Sequence, residues 1–418
     1  PIISLKRDKS GKILKILDND ETHFESLAES FIHIEITRQS EHELKNIKKT
    51  LEEILSEVHT CYNDSPLIRH RIIDIVNDIH PIPKGINFSE VSEVQEFTEW
   101  LQNGNFIFLG YREYNQRAQS KSRKLEMRES NGLGILRDKK VMLFNRVGKK
   151  HDPLSEVRTF MRHQNVILVT KTNRHSSVYR SSHMDAIGIK KFNDKGEIIG
   201  HRLFVGLFTP AAYHRPASLV PLLRRRLKMV MEKSGFSKSS HNGVALLNIL
   251  ETYPRDELFQ IDNSTLLKTA LGILHLEKRP RTSLFVRKDE LGQFFSCLVF
   301  IPKERYTTEV RQRVQSTLSQ ELDGTVSAFY TQLDDRPLAR CQIILRIRTG
   351  ANPKYNEQKI IQRLNYETRS WKDNLYSSMA TLYGEETAIE LIERWSGRFE
   401  NAYQDMYKPT QIIDDIQI

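Results

Sequence analysis

The sequence predicts an α/β (α+β) protein made of several small ferredoxin-like modules, followed by long C-terminal helices. Two observations lead to this prediction. Short runs alternate apolar with polar residues, and several times along the 418 residues the spacing changes to that of an amphipathic helix. The order strand, polar loop, basic amphipathic helix recurs at residues 34–58, 204–233 and 298–322. Because ferredoxin-like sandwiches are built from such βαβ units, we expect mixed or antiparallel sheets that carry helices on one face.

The first module is predicted near the start of the chain. An apolar run on each side of a Lys-Ser-Gly turn indicates a β-hairpin. Residues 31–37 alternate apolar and polar side chains, which is typical of a half-buried strand. Ser40 and Glu43 have the spacing of a capping box, so a helix is predicted to begin there. A second helix is predicted at residues 66–79, ended by Pro81.

The remaining elements follow from the same two periodicities. Strands are predicted at residues 106–114, 166–170, 184–192, 197–209, 283–287, 294–301, 326–333 and 339–347. Helices are predicted at residues 89–103, 216–233, 243–252, 266–276 and 307–322, and almost continuously after residue 353.

These changes of pattern divide the chain into five predicted segments. They are a first, incomplete module with trailing helices (1–83), a connecting α/β segment (84–150), a second module with a helical extension (151–280), a third module (281–350) and a C-terminal helical segment (351–418).

Composition narrows the class of protein. Hydrophobic residues make up 39% of the chain and aromatic residues 9%, which is enough to form real cores. Three scattered cysteines argue against a disulfide framework, and no apolar run reaches the ~20 residues that span a membrane. We therefore expect a cytoplasmic protein that does not contact membranes. The apolar pattern of residues 412–418 has no terminating cap, so we also expect a segment of a longer chain.

The net charge favours anionic partners, because 63 Lys+Arg face 53 Asp+Glu and give a formal charge of +10. The most basic run extends from Arg224 to Lys228. If this run is helical, its arginines point away from its leucines. Nucleic-acid binding is one interpretation, and a solvated or interface face is the favoured one.

No motif for catalysis or cofactor binding is present in the sequence. It contains no G-x-G-x-x-G, no Walker loop, no H-E-x-x-H and no G-x-S-x-G. Either His33 with Glu35, or His175 with His183 and His201, could meet in space, but the spacing lacks an anchoring cluster of metal ligands. We expect no catalytic residue, no cofactor site and no metal site in this segment.

Residues 242–260 combine a broken helix with several charges. Pro254 interrupts the helix, and Asp256 is placed to cap the short helix that follows. Together with Glu251, Arg255 and Glu257 it suggests a fixed polar network. Without a partner for paired carboxylates, we expect this network to be structural rather than catalytic.

The same segment carries a family resemblance. Asn-Ile-Leu-Glu-Thr-Tyr-Pro-Arg-Asp-Glu-Leu-Phe at 248–259 resembles the N-terminal region of the large NAD-dependent bacterial glutamate dehydrogenases. Further similar stretches follow the same order over essentially the whole chain: 31–35, 108–114, 133–138, 202–208, 271–275, 284–287 and 296–300. The resemblance implies ACT-like modules in front of a dehydrogenase domain that binds NAD and glutamate. We expect that domain, with its catalytic and nucleotide-binding residues, to lie beyond residue 418.

The resemblance also implies partners and candidate binding residues. The expected partners are the downstream dehydrogenase domain and further copies of the chain, with an amino-acid effector as a third possibility. ACT modules often bind amino acids at the loop between the first strand and the first helix, where cationic groups can pair with a carboxylate. The favoured alternative is that these loops only pack modules or subunits together. The corresponding residues here are Thr209, Tyr213, Arg215, Lys303, Arg305 and Tyr306.

Overall fold

The computed structural model describes most of the chain. The described residues are 2–8, 10–17, 27–78, 88–116, 125–127, 132–141, 143–144, 165–289, 292–348, 353–369, 371–407 and 409–416. The predicted boundary at Pro81 lies outside them. The chain divides into two compact units, residues 1–56 and residues 57–418.

The first unit contains a three-stranded antiparallel sheet. Its strands are β1 (Ile2–Arg7), β2 (Ile13–Ile16) and β3 (Leu27–Ser30), in the order β2-β1-β3. The predicted hairpin is therefore confirmed by the pairing of β1 with β2. The Arg7 guanidinium on β1 contacts the Glu29 carboxylate on β3 at 2.5 Å and joins these two strands.

The prediction of a strand at residues 31–37 is wrong. Regular structure ends at Ser30, and residues 31–40 form no helix or strand. A strand needs a neighbour for its backbone hydrogen bonds, and no described strand pairs with this segment. Its alternating apolar side chains are consequently exposed: Ile32 by 79%, Ile34 by 70% and Ile36 by 55%.

The two helices predicted next form one helix, α1 (Glu41–Asp78), which contains Pro66 in its interior. Its start is as predicted, since Ser40 N–H donates to the Glu43 carboxylate at 2.9 Å and Glu43 N–H donates to Ser40 Oγ at 3.3 Å. An interior proline removes one helical hydrogen bond. The helix continues because Ile68 and Ile72, just after the proline, are fully buried in the core.

The second unit begins with a mainly antiparallel sheet in the order β5-β4-β9-β8-β7, with β6 paired to β4. Its strands are β4 (Phe106–Gln116), β5 (Leu125–Met127), β6 (Leu133–Gly134), β7 (Ile167–His175), β8 (His183–Phe192) and β9 (Ile198–Phe208). Because β4 pairs with β9 along its length, the division predicted at residue 150 runs through this sheet.

Helices cover one face of this sheet and form the largest core. They are α2 (Phe88–Trp100), α3 (Pro210–His214), α4 (Leu223–Ser234), α5 (His241–Glu251), α6 (Arg255–Gln260) and α7 (Asn263–Lys278). Aromatic rings join the helices to the sheet: Phe208 of β9 stacks on Phe259 of α6 at 5.0 Å, and Trp100 of α2 lies 6.1 Å from Phe208. These contacts fix α6 against the end of β9.

A second sheet follows in the order β10-β11-β13-β12, all antiparallel. Its strands are β10 (Ser283–Lys288), β11 (Phe294–Pro302), β12 (Gly324–Gln332) and β13 (Leu338–Ile347), and its helices are α8 (Thr308–Glu321) and α9 (Glu357–Glu367). The helix between β11 and β12, and the helix after β13, match a ferredoxin-like sandwich in which the leading strand β10 takes an edge position. The predicted α/β class with antiparallel sheets is confirmed.

The C-terminal part is helical, as predicted. It contains α10 (Trp371–Tyr383), α11 (Glu385–Trp395), α12 (Asn401–Met406) and α13 (Ile413–Ile416). Leu375, Met379, Ala388 and Ile392 form its own small core. Of the helices in the described ranges, none combines the length and apolar character required to cross a membrane.

Asp64 provides a test of the packing of α1. Its side chain is 2% exposed, accepts the Gly134 N–H at 2.7 Å and contacts Arg137 Nε at 2.5 Å. Burial alone would raise the pKa of Asp64, but these partners hold it below its usual range. We predict that Asp64→Asn lowers the free energy of unfolding by about 1–3 kcal/mol in urea titrations at pH 7. The matched control Asp74→Asn, on the same helix, removes only exposed pairs and costs less than about 1 kcal/mol. Equal losses in both variants would contradict the assignment.

Candidate functional site

A cavity of about 860 Å³ lies between the sheet of β7 and β8 and the sheet of β11 to β13. Such a volume is in the range of small-molecule sites. Side chains from three parts of the second unit line it. They are Lys171, His175, Arg180, Ser182 and His183 from β7, β8 and their connection; Tyr213, Arg255, Asp256, Glu257 and Gln260 from the helices; and Arg287, Asp289, Phe294, Ser296, Ser327, Tyr330, Gln332, Arg340 and Gln342 from the second sheet and its loops.

The helical wall follows from the break at Pro254. Because proline ends the preceding helical segment, α6 begins afresh at Arg255 and presents Arg255, Asp256 and Glu257 in successive directions. The capping role predicted for Asp256 is wrong, since no side chain caps this helix. The N-cap position is Pro254, so Asp256 lies inside the first turn of α6, and it accepts the Tyr213 hydroxyl at 2.9 Å.

A network of charges holds this wall to the first sheet. Lys171 Nζ lies 2.7 Å from the Asp185 carboxylate and 3.2 Å from that of Asp256. Burial alone would lower the pKa of Lys171, but the two carboxylates reverse this effect and raise it well above its ordinary value. The polar network predicted for the segment around Pro254 is therefore present, and it includes Glu251, which accepts the Ala217 N–H at 2.5 Å.

A second ion pair joins α6 to the second sheet. Arg287 on β10 contacts Glu257, with Nη2 to Oε2 at 3.1 Å, and the two side chains are only 12% and 4% exposed. Arg287 also donates to Gln260 at 3.3 Å. The cavity thus has walls that are tied to each other by buried charges.

Three arginines of the cavity have no carboxylate partner in the part of the chain that the structure describes. Arg180 donates to the Phe208 carbonyl at 2.9 Å, Arg255 to the Arg215 carbonyl at 2.6 Å, and Arg340 to the Thr252 carbonyl at 2.7 Å. Burial lowers the pKa of Arg255, and burial together with nearby Arg336 lowers that of Arg340 to about 10. Such lowered values mark cations whose charge is poorly compensated.

Two histidines meet at the rim of the cavity. The Nε2 atoms of His175 and His183 lie 3.0 Å apart, and His183 Nε2 is 2.8 Å from Ser327 Oγ on β12. Burial and repulsion from His175 lower the pKa of His183 to about 4, so it is neutral at pH 7. The third predicted member, His201, lies elsewhere and stacks on Tyr114 at 5.0 Å. Within the described ranges, no group of three or more His, Cys, Asp or Glu could hold a metal ion.

The candidate loop residues do not form one site. Tyr213 alone lines the cavity. Thr209 donates to the Gly104 carbonyl, and the side chain of Arg215 is exposed. In the second loop, Lys303 donates to the Asp334 carbonyl at 2.8 Å, Arg305 pairs with Asp373 at 3.2 Å, and Tyr306 bonds to Thr331 at 2.8 Å. Their role in effector binding stays a prediction.

The basic run on α4 contacts acidic residues of α2. Arg224 contacts Glu93 at 2.8 Å and Glu96 at 2.6 Å, and Arg225 lies 3.6 Å from Glu90. Arg226 donates to the carbonyl of Leu258 at 2.5 Å. These contacts favour the interpretation of this face as an internal interface, because arginines neutralised in this way are poor ligands for phosphates.

Comparison with known protein families gives matches over three parts of the chain. Three family profiles match parts of the chain: glutamate dehydrogenase ACT1 domain at residues 1–51, glutamate dehydrogenase helical motif 1 at 220–279, and glutamate dehydrogenase ACT2 domain at 283–372. The helical motif corresponds to α4 through α7, which the sequence interpretation had included in the second module. The ACT2 match spans β10 to β13 with α8 and α9.

Three curated relatives align with the whole chain, and each is named NAD-specific glutamate dehydrogenase. The protein of Halomonas elongata is 34% identical over 425 residues, that of Pseudomonas aeruginosa 28% over 424, and that of Mycobacterium tuberculosis 27% over 435. The alignments cover 100% of this chain but only 26%, 26% and 25% of the relatives. The chain is thus homologous to the N-terminal quarter of the large NAD-specific glutamate dehydrogenases, and it carries their ACT1, helical motif 1 and ACT2 domains.

Proposed function

We propose that this chain is the non-catalytic regulatory and oligomerisation segment of an NAD-dependent glutamate dehydrogenase. The parent enzyme would oxidatively deaminate L-glutamate to 2-oxoglutarate and ammonia, with NAD bound by a dehydrogenase domain of the same polypeptide. The homology to large NAD-specific enzymes supports the parent, and the lack of glycine-rich phosphate loops in the sequence supports a non-catalytic role. The partners are the dehydrogenase domain and further copies of the chain.

The observation that carries the regulatory role is the cavity beside the ACT2 sheet. A cavity of about 860 Å³ is in the range of small-molecule sites, which supports a binding role rather than that of a spacer alone. Polar groups from both sheets converge on it, which is typical of a site that binds a small molecule. The family resemblance implies an amino acid as the effector. Its carboxylate would pair with arginines of this cavity rather than with residues of the two predicted loops.

Contacts across the cavity supply a means of regulation. Glu257 and Arg287 join α6 to the ACT2 sheet, and His183 and Ser327 join β8 to β12. A ligand that fills the space between these contacts would favour one arrangement of the two walls. Its effect on the equilibrium can be no larger than its difference in affinity for the two arrangements.

The first prediction concerns catalysis. The purified 418-residue chain is expected to show no reduction of NAD with L-glutamate, measured by absorbance of the reduced nucleotide, and no saturable NAD binding by calorimetry. The physical reason is the lack of a backbone cradle for pyrophosphate in the sequence. Turnover by the chain alone would refute its assignment as non-catalytic.

The second prediction locates the effector. A panel of amino acids at millimolar concentration is expected to include at least one that raises the melting temperature, because a ligand that binds only the folded state stabilises it. Ser327→Phe would fill the cavity and abolish this rise. The control Lys303→Gln, in the predicted loop but outside the cavity, would leave the rise unchanged.

The reverse pattern, with loss in Lys303→Gln and retention in Ser327→Phe, would place the effector at the loop instead. A chain that responds to no amino acid would remove amino-acid sensing from the proposal and leave the assembly role. That role is measured separately, by light scattering coupled to size-exclusion chromatography.

A further inference from the structure

The carboxylates that line the cavity already have partners. Asp256 accepts the Tyr213 hydroxyl and pairs with Lys171, and Glu257 pairs with Arg287. Asp289 accepts two backbone N–H groups of the turn that follows it, at 2.5 and 2.6 Å. Each is therefore occupied in holding the walls together. A ligand ammonium group would have to displace one of these contacts.

The arginine and serine side chains that line the cavity include hydrogen-bond donors without a partner. Arg180 Nε, Arg255 Nε and Arg255 Nη1 are buried atoms without a hydrogen-bond partner among the described residues, and the Ser182 hydroxyl nearby is in the same state. A buried guanidinium N–H without a hydrogen bond destabilises the folded state, because it has lost its hydrogen bonds to water and makes none to the protein. An acceptor-rich ligand would remove that cost.

The two arginines belong to one subsite. The Arg180 guanidinium lies 5.9 Å from the centre of the Tyr213 ring, and Arg255 donates to the carbonyl of Arg215, two residues further along. Arg180 is thus anchored to the Phe208 carbonyl before α3, and Arg255 to the Arg215 carbonyl after it. Both residues line the cavity, and guanidinium forks hold two oxygens of one anionic group.

We infer that the cavity recognises a small organic anion through Arg180 and Arg255, and that it does not read an α-ammonium group. This inference rests on the proposed function, since it takes the cavity as the effector site. The ligand's carboxylate or phosphate oxygens accept from N–H groups of these two guanidinium side chains. An amino acid binds only through its carboxylate, so the 2-oxo acid with the same carbon skeleton binds equally well.

The test is calorimetric titration of the 418-residue chain with matched ligands. The probes are L-glutamate with 2-oxoglutarate, L-alanine with pyruvate, then succinate, inorganic phosphate and glycinamide. We expect each 2-oxo acid to match its amino acid in affinity and glycinamide, which has an ammonium but no carboxylate, not to bind. Comparison of succinate with phosphate identifies which type of anion the subsite prefers.

Variants connect the binding to the two arginines. Arg255→Gln and Arg180→Gln are each expected to weaken anion binding at least about tenfold, because a hydrogen bond to a charged group is lost. Arg225→Gln, which removes a paired arginine outside the cavity, should bind as the unmodified chain does. Without ligand, the melting temperatures of Arg255→Gln and Arg180→Gln should stay the same or rise, since an unsatisfied buried cation is removed. If one variant fails to fold, the other carries the test.

The outcomes separate this inference from the proposed function. Binding of amino acids without binding of the 2-oxo acids would overturn the inference and leave the proposed effector role intact. Anion binding that is unchanged in both arginine variants would also overturn it, since the anion would then bind elsewhere. Absence of binding by every probe would contradict both the inference and the effector role.

Discussion

Glu257 and Arg287 meet where α6 reaches the edge strand β10 of the ACT2 domain, with both side chains almost removed from water. A buried pair of this kind adds little net stability, but loss of one partner leaves a bare buried charge and costs about 3–5 kcal/mol. The pair therefore acts mainly as a constraint on position. Since α6 has only six residues, the directions of Arg255 and Asp256 depend on where Glu257 is held.

The rest of the cavity follows from that constraint. With α6 fixed, Asp256 faces Lys171 and the Tyr213 hydroxyl, and this contact ties the helix to the first sheet. The same placement leaves Arg255 without a carboxylate at ion-pair distance among the described residues, although Glu251 and Asp256 act on its charge from further away. The cavity thus combines two satisfied ion-pair networks, which hold its walls, with guanidinium groups that the walls leave unsatisfied. The ion-pair networks keep the walls in place, and the unsatisfied guanidinium groups supply an energetic reason to bind a ligand.

Local signals in the sequence predicted much of the fold but little of the site. Strand 294–301 lies inside the ACT2 sheet because its nearly continuous apolar run is buried on both faces. Strand 339–347 pairs beside it although Arg340, Gln342 and Arg346 interrupt its apolar residues. The strand predicted at 31–37 does not form, since alternation cannot supply a neighbouring strand. Pro66 stays within a helix because tertiary burial of the residues after it outweighs the local penalty.

The cavity could not be predicted, because the residues that line it come from positions between 171 and 344 and share no spacing. Tyr213 was found because the family resemblance points to its loop. Arg180 and Arg340 carry no local signal: Arg180 lies in a polar stretch and Arg340 in a predicted strand, and only the meeting of the two sheets places both at one cavity. The charge excess of the sequence indicated an anionic partner, yet Arg224 and Arg225 of its densest run pair with carboxylates of α2.

The position of the cavity suggests how binding could reach the rest of the chain. Its two walls are formed by different sheets, so a ligand that contacts both binds the assembled arrangement more tightly than a separated one. The ACT2 domain in turn contacts the C-terminal helices, where Arg305 pairs with Asp373 at the start of α10 at 3.2 Å. Arg305 takes part in this contact, and its role in effector binding stays a prediction. Because coupling between sites is reciprocal, a partner that binds these helices and raises anion affinity must itself bind more tightly, by the same factor, when the anion is present.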